Sequence, residues 1–281
     1  MMSERNSIKN GLPFLKMHGL GNDFVIIDAR ASEFLITAET ARAIGHRNFG
    51  VGCDQLAVLT TSSEADVDVA FWNSDGSMAE ACGNASRCIG RLIMEESGKG
   101  IVSLRTNRGI LPVQDVDGNF LTVNMGQPQL TWSDVPLAQD VDLTMLPIDG
   151  TPGAVGIGNP HCVFVVDDFE SMDLPKLGAF YEHHALFPER TNVEFIKILD
   201  SQNIRMRVWE RGGMITLACG SGACAAVVVA HRKGLTEREV TVHLDGGPLM
   251  ISWRDDGVWM TGTTQLVFSG TLSPAFLDTI K

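Results

Sequence analysis

The chain repeats itself. Gly19-Leu20-Gly21-Asn22 resembles Gly156-Ile157-Gly158-Asn159, and Ala81-Cys82-Gly83 resembles Ala218-Cys219-Gly220. The same offset of 137 residues separates Asn22 from Asn159 and Cys82 from Cys219. At that register Trp72 falls on Trp209, Gly76 on Gly213, Asn73 on Glu210 and Gln55 on Asn192. After a drift of two residues, the hexapeptide from Asp117 to Thr122 matches the one from Asp256 to Thr261. One such match is chance in a glycine-rich chain; a constant offset across separated segments points to duplication. The period is too long for a solenoid, whose repeats run roughly 20–50 residues. Two similar domains are expected, spanning residues 1–126 and 152–281. Residues 127–151, with several prolines and acidic residues, read as a linker or irregular crossover. The last strand and helix are expected to pack back near the first domain.

Within each half the pattern is strands around one dominant helix. Phe24-Val25-Ile26-Ile27, Val163-Phe164-Val165-Val166, the run from Val67 to Trp72 and that from Ile204 to Trp209 are short, apolar and β-rich. Leu121-Thr122-Val123 and Leu249-Met250-Ile251 read as later strands. After Cys82, residues Cys88, Ile89, Leu92 and Ile93 recur at helical intervals. The segment after Cys219 is alanine-rich and ends in His-Arg-Lys-Gly, a helix-stop signal. The fold class is therefore α+β. It comprises two similar domains related by pseudo-two-fold symmetry, each a mostly antiparallel, barrel-like sheet around a central helix.

Composition removes several functions. The net charge of −12 argues against a non-specific nucleic-acid binder, which needs a basic face. Hydrophobic residues at 44% exclude a disordered chain. No run approaches the ~18 apolar residues of a membrane span, and the N-terminus lacks a signal-peptide core. Six cysteines are too few for a disulfide scaffold in 281 residues. A cytoplasmic protein with free or ligating thiols is expected, with no membrane and no nucleic-acid partner.

Cys82 and Cys219 stand where a strand or loop gives way to a helix. Each is followed by glycine and a capping residue, Asn84 or Ser221. Unpaired N–H groups and the dipole at a helix start favour negative charge. They should lower a thiol's pKa from about 8.5 toward neutral and can also hold a carboxylate. Two such thiols on opposite sides of one carbon suit inversion of a stereocentre: one removes a proton, the other delivers one. Cys53, Cys88, Cys162 and Cys224 read instead as buried small hydrophobes. The spacings Cys-x5-Cys and Cys-x4-Cys do not match a zinc ribbon, so no metal is expected.

Six motifs in order resemble the diaminopimelate epimerase family over nearly the whole chain. They are Phe14-Leu15-Lys16-Met17 with Gly19 to Phe24; Gly52-Cys53-Asp54-Gln55; Asn73-Ser74-Asp75-Gly76-Ser77 with Cys82-Gly83-Asn84; Gly158-Asn159-Pro160-His161-Cys162-Val163; Arg190 to Phe195; and Glu210-Arg211-Gly212 running to Gly222. The resemblance implies interconversion of LL- and meso-diaminopimelate without a pyridoxal or other cofactor, in lysine and peptidoglycan precursor synthesis, by a homodimer. It implies Cys82 and Cys219 as the acid/base pair, with the backbone of Gly83, Asn84, Gly220 and Ser221 around the reacting carboxylate. Asn22, Gln55, Asn73, Asn159, Asn192, Glu210 and Arg211 would contact the rest of the substrate. A guanidinium such as Arg211 can grip a distal carboxylate bidentately, and Glu210 can receive an ammonium. Against these roles, Glu210–Arg211 also reads as a solvated surface pair, and the asparagines as turn formers. His161 either positions or deprotonates a thiol, or is a satisfied core histidine. Ala85 and Met214 depart from the family, which usually has glycine at both places. Three other readings stay open: a proline racemase-like enzyme, a non-catalytic amino-acid binding module, and a redox or metal protein.

Overall fold

Two copies of one path of strands and helices make up the chain. The computed structural model describes residues 11–32, 34–167, 169 and 171–280. The first copy runs β1 (Leu12–Gly19), β2 (Asn22–Asp28), α1 (Ala38–Gly45), β3 (Gln55–Thr60), β4 (Val67–Asn73), β5 (Met78–Ala79), α2 (Gly83–Ser97), β6 (Ile101–Thr106), β7 (Gly109–Asp117) and β8 (Phe120–Asn124). The second runs β9 (Gly153–Gly156), β10 (Pro160–Val165), α3 (Leu174–Glu182), β11 (Asn192–Asp200), β12 (Asn203–Trp209), α4 (Gly220–Arg232), β13 (Glu239–Leu244), β14 (Gly247–Arg254) and β15 (Gly257–Thr263). β16 (Gln265–Leu272) and α5 (Pro274–Thr279) follow.

Strand pairing repeats as well. β2–β3 and β4–β6 are parallel, as are β10–β11 and β12–β13. β3–β4 and β6–β7 are antiparallel, as are β11–β12 and β13–β14. The parallel steps fall where a helix carries the chain back across the sheet, the connection that parallel neighbours require; elsewhere antiparallel pairing predominates. Even single turn bonds recur. Asn73 N–H donates to Ser77 O and Gly76 N–H to Asn73 O; 137 residues on, Glu210 N–H donates to Met214 O and Gly213 N–H to Glu210 O. Gly76 and Gly213 sit at φ +85 and +91, the left-handed region where a Cβ is strained.

Two compact units result. One holds the described residues up to Gly19, Asp23–Leu121 and the chain from Thr263; the other holds Leu20–Asn22 and Thr122–Gly262. In the first, β16 pairs antiparallel with β1 from Leu12↔Leu272 to His18↔Gln265. Leu12, Phe14, Val25, Ile27, Ile44, Leu56 and Leu272 form a core there. Helix α2 packs on β1, β6 and β7. Its Gly90 permits the approach, since a Cβ would lie 2.6 Å from Val113 Cγ1.

In the second unit α4 is buried from Gly222 to Ala230. Strands β9 to β14 pack around it, and small side chains let them come close. Burying each valine there contributes about 1.5–3 kcal/mol. The proline-containing stretch from 127 to 151 is irregular in backbone but not a loose tether. Val135, Leu137, Leu143, Leu146 and Ile148 are buried with Phe164, Leu186 and Phe195 in the second core.

Candidate active site

Cys82 and Cys219 are the N-cap residues of α2 and α4, both with extended backbone. Each carbonyl accepts the first helical bond, from Ser86 N–H at 2.8 Å and from Ala223 N–H at 3.0 Å. Gly83, Asn84, Gly220 and Ser221 form the first turns, so their backbone N–H groups belong to the helix starts. The two sulfurs differ. Cys219 Sγ accepts the Gly222 N–H at 3.4 Å and lies 3.6 Å from Ser221 Oγ. The Cys82 side chain makes no capping bond.

The expected acidity of the helix-start thiol is corrected at Cys219. Burial pushes that thiol well above the ordinary cysteine range, and the carboxylates of Glu210 and Glu194 push it further. The Ser221 hydroxyl and Gly222 N–H pull the other way and are outweighed. Cys219 therefore rests as a thiol with its proton in place. Cys53, Cys88, Cys162 and Cys224 are all buried within the cores; burial raises the Cys53 thiol to about 11 and the Cys88 thiol to about 12.

In the first unit Gln55 and Asn73 meet on neighbouring strands. Gln55 Nε2 donates to Asn73 Oδ1 at 2.8 Å, and Asn73 Nδ2 donates to Ser77 Oγ at 2.9 Å. Gln55 Oε1 is buried without a hydrogen-bond partner among the described residues, leaving an acceptor unused. Asn84 Oδ1 accepts from the buried Arg87 at 2.9 Å.

The second unit gathers Asn159, His161, Asn192, Glu210, Arg211 and the Cys219 turn. His161 is fully buried, with Nδ1 2.7 Å from Glu194 Oε1 and Nε2 2.9 Å from Asn159 Oδ1. Asn192 Nδ2 donates to Pro160 O at 2.9 Å, and its Oδ1 accepts the Arg211 backbone N–H at 3.0 Å. Glu210 accepts a short hydrogen bond from Thr216 Oγ1. The Arg211 side chain is exposed. Asn22 comes from the first sequence half but lies in the second unit, where neighbouring Gly21 packs on Leu217 and Leu20 on Gly246. Ala85 is buried inside α2, where alanine favours the helix, and Met214 is exposed at the end of the 210–214 turn.

Two residues at this site are given no role by the sequence. Glu194 is the one charge in the buried stretch Asn192–Ile196 of β11, and that alone marks it. Glu182 gives no local signal; its carboxylate accepts from Trp209 Nε1 and Gly212 N–H, fixing the turn that carries Glu210 and Arg211. Among the described residues no three His, Cys, Asp or Glu side chains converge as a metal-ligand set. Among the described residues no helix is long and apolar enough to cross a membrane.

Comparison with known proteins fits this duplicated geometry. The sequence profile of the diaminopimelate epimerase family matches residues 14–131 and again residues 153–267. The chain is 51% identical to the diaminopimelate epimerase of Gluconobacter oxydans, over 92% of this chain and 98% of that one. It is 48% identical to that of Rhodospirillum centenum, over 94% and 93%, and 46% identical to that of Acidiphilium cryptum, over 94% and 98%. A hydroxyproline epimerase structure from Agrobacterium vitis shares the fold with a TM-score of 0.70 at 14% identity, covering 95% of this chain and 93% of that one. A phenazine biosynthesis protein from Bacillus anthracis does so with a TM-score of 0.68 at 15% identity, covering 93% and 99%. With both halves matched by one profile and near-full-length identity around 50%, the chain belongs to the diaminopimelate epimerase family.

Proposed function

We propose that the chain interconverts LL- and meso-diaminopimelate by two-base proton transfer at Cα, as an isomerase of lysine and peptidoglycan precursor synthesis. The observation that carries this is a cysteine at the N-cap of the equivalent helix in each matched half. In the proposed reaction one sulfur, as thiolate, takes the Cα proton and leaves a planar carbanion. The other, as thiol, gives its proton to the opposite face. Each turnover thus exchanges the protonation of the two sulfurs, and no pyridoxal cofactor is needed. The proton retained at Cys219 by burial and by Glu194 and Glu210 suits the proton-donating role. Helix-start N–H groups steady the reacting carboxylate as negative charge spreads onto it. Asn22, Gln55, Asn73, Asn159, Asn192, Glu210 and Arg211 recognise the distal amino acid head. A site of such polar groups disfavours substrates lacking that head, whose absence leaves donors and acceptors unpaired.

Assembly as a homodimer in the cytoplasm belongs to the same proposal. It draws support from β16, whose Leu266, Val267 and Phe268 are each about half exposed. An edge strand carrying such a patch invites pairing with another chain. Sedimentation of wild type and Val267→Lys tests it: a monomeric wild type would refute the dimer.

The decisive test of the activity is proton–deuterium exchange at Cα of LL-diaminopimelate in heavy water. Wild type should exchange and epimerise, and Cys82→Ser and Cys219→Ser should each lose epimerisation by at least a hundredfold. Turnover of proline in place of diaminopimelate would favour a racemase of the other kind. Unchanged activity in both variants would end the two-thiol mechanism.

A further inference from the structure

We infer that Glu194 and His161 are positioning residues that fix the amide of Asn159, so that its NH2 group, and not its oxygen, is presented to the substrate. The inference rests on the epimerase reading for the identity of the ligand, a carboxylate. Its structural half stands on hydrogen bonding alone.

The sheet does not need this pair. At the 137-residue register His161 corresponds to Phe24 and Glu194 to Ala57. Strand alignment agrees: Phe24 lies opposite Gln55 as His161 lies opposite Asn192, and Ile26 opposite Ala57 as Val163 opposite Glu194. Phe24 and Ala57 are both fully buried, so the same two places are filled by apolar groups in the first copy. Burying a carboxylate and an imidazole in the second costs desolvation that Phe and Ala avoid. Folding alone does not explain the exchange.

Proton counting does. His161 Nε2 faces Asn159 Oδ1, an acceptor, so Nε2 carries a proton. One more proton lies between Nδ1 and Glu194 Oε1. Whether that proton sits on nitrogen or oxygen, the pair as a whole is neutral and holds two protons. Glu194 thereby secures the donor at Nε2, which in turn holds Asn159 Oδ1. The amide nitrogen of Asn159 must then point away from the ring and offer its two N–H donors to an acceptor-rich group. Asn159 is half-buried, and its backbone is held by Ile157 N–H donating to its carbonyl at 3.0 Å. Cys219 at the start of α4 lies beside the pair, its thiol held up by burial with Glu194 adding to the effect, while Cys162 sits on the opposite face of β10, its thiol likewise raised by burial and Glu194. Glu194 Oε1 would lie 2.8 Å from a Cβ at position 222, so glycine is what lets α4 approach the carboxylate.

Glu194→Gln removes one proton from the pair. His161 can then donate through Nδ1 to the new amide oxygen, leaving Nε2 as an acceptor. Asn159 turns over to donate to it, and an oxygen meets the substrate carboxylate.

Two measurements test this. In protein with 15N-labelled histidine, His161 (assigned by comparison with His161→Gln) should carry a proton on Nε2 in the wild type and, in Glu194→Gln at neutral pH, a proton on Nδ1 with Nε2 bare. A wild type with Nε2 bare would overturn the inference, and that measurement needs no activity. In steady-state kinetics Glu194→Gln should raise KM for LL-diaminopimelate at least tenfold, with kcat within threefold. A folded variant with wild-type KM would also overturn it. A wild type with no epimerase activity would instead sink the proposed function while the labelling experiment still decided the hydrogen-bond arrangement.

Discussion

Trp209 donates its indole N–H to Glu182 Oε2 at 2.7 Å, while Gly212 donates its backbone N–H to the other oxygen of the same carboxylate at 2.9 Å. Glu182 is 1% exposed, and together these bonds tie α3 to the turn bearing Glu210 and Arg211. Gly178, one turn earlier on α3, permits the contact, because a Cβ there would lie 2.4 Å from Trp209 Cβ. Glu182→Ala strands both donors. The expected cost is about 1–3 kcal/mol of stability, with KM raised about tenfold as the turn loosens. Chemical denaturation and initial rates check it; a variant with wild-type KM would show that the turn holds its shape unaided.

Cys219 should react slowly with iodoacetamide until the pH is well above the ordinary cysteine range, since the thiolate alone is the nucleophile. Glu210→Gln removes a negative charge that keeps it protonated. The Cys219 pKa should then fall, and the alkylation rate at pH 8 should rise severalfold. Peptide mapping with mass spectrometry separates Cys219 from the other thiols. A slower reaction in Glu210→Gln would contradict the assigned sign.

A Cβ at Gly246, whose N–H donates to Leu217 O at 2.8 Å, would fall 1.9 Å from the Leu20 carbonyl oxygen. Both partners are backbone, so the Leu20–Asn22 segment has to shift. Gly246→Ala should cost about 1–3 kcal/mol and raise KM through displacement of Asn22. Gly100→Ala, where a Cβ meets nothing within 4 Å, should leave activity unchanged and serves as the control. Equal behaviour of the two variants would remove Asn22 from substrate recognition.

The duplication was legible because it lives in local chemistry: glycines at positive φ and a cysteine before a helix recur at one offset, and the turn bonds recur with them. Glu194 was not. Its partner His161 is 33 residues away in sequence, and only the parallel pairing of β10 with β11 joins them. The acidity of Cys219 failed for a related reason. A helix start is visible in sequence, but burial and two carboxylates delivered by other segments are not, and here they win. The 127–151 stretch, read as a linker or irregular crossover, hides its burial in the same way. Its prolines and acids advertise a linker, while Val135, Leu137 and Leu146, without any regular period, find the core.

Asp23, the residue after Asn22, supplies a pH test of the first unit. Burial raises its pKa, but hydrogen bonds from Arg47 and Lys16 and their charges prevail, taking it from 3.8 to about 2. Arg47 grips both oxygens, at 2.8 and 3.1 Å, and Asp54 N–H adds a bond at 3.0 Å. A carboxylate whose folded pKa lies below its unfolded one stabilises the fold above the unfolded value and loses that contribution as pH falls through the folded one. The contribution is therefore complete above about pH 4 and gone near pH 2. Asp23→Asn should be less stable than wild type at pH 7, and the gap should narrow steadily between pH 4 and pH 2. Urea unfolding of the pair across that range measures it. A gap that stays constant with pH would mean that Asp23 acts by shape and hydrogen bonding alone, with no net charge contribution to the fold.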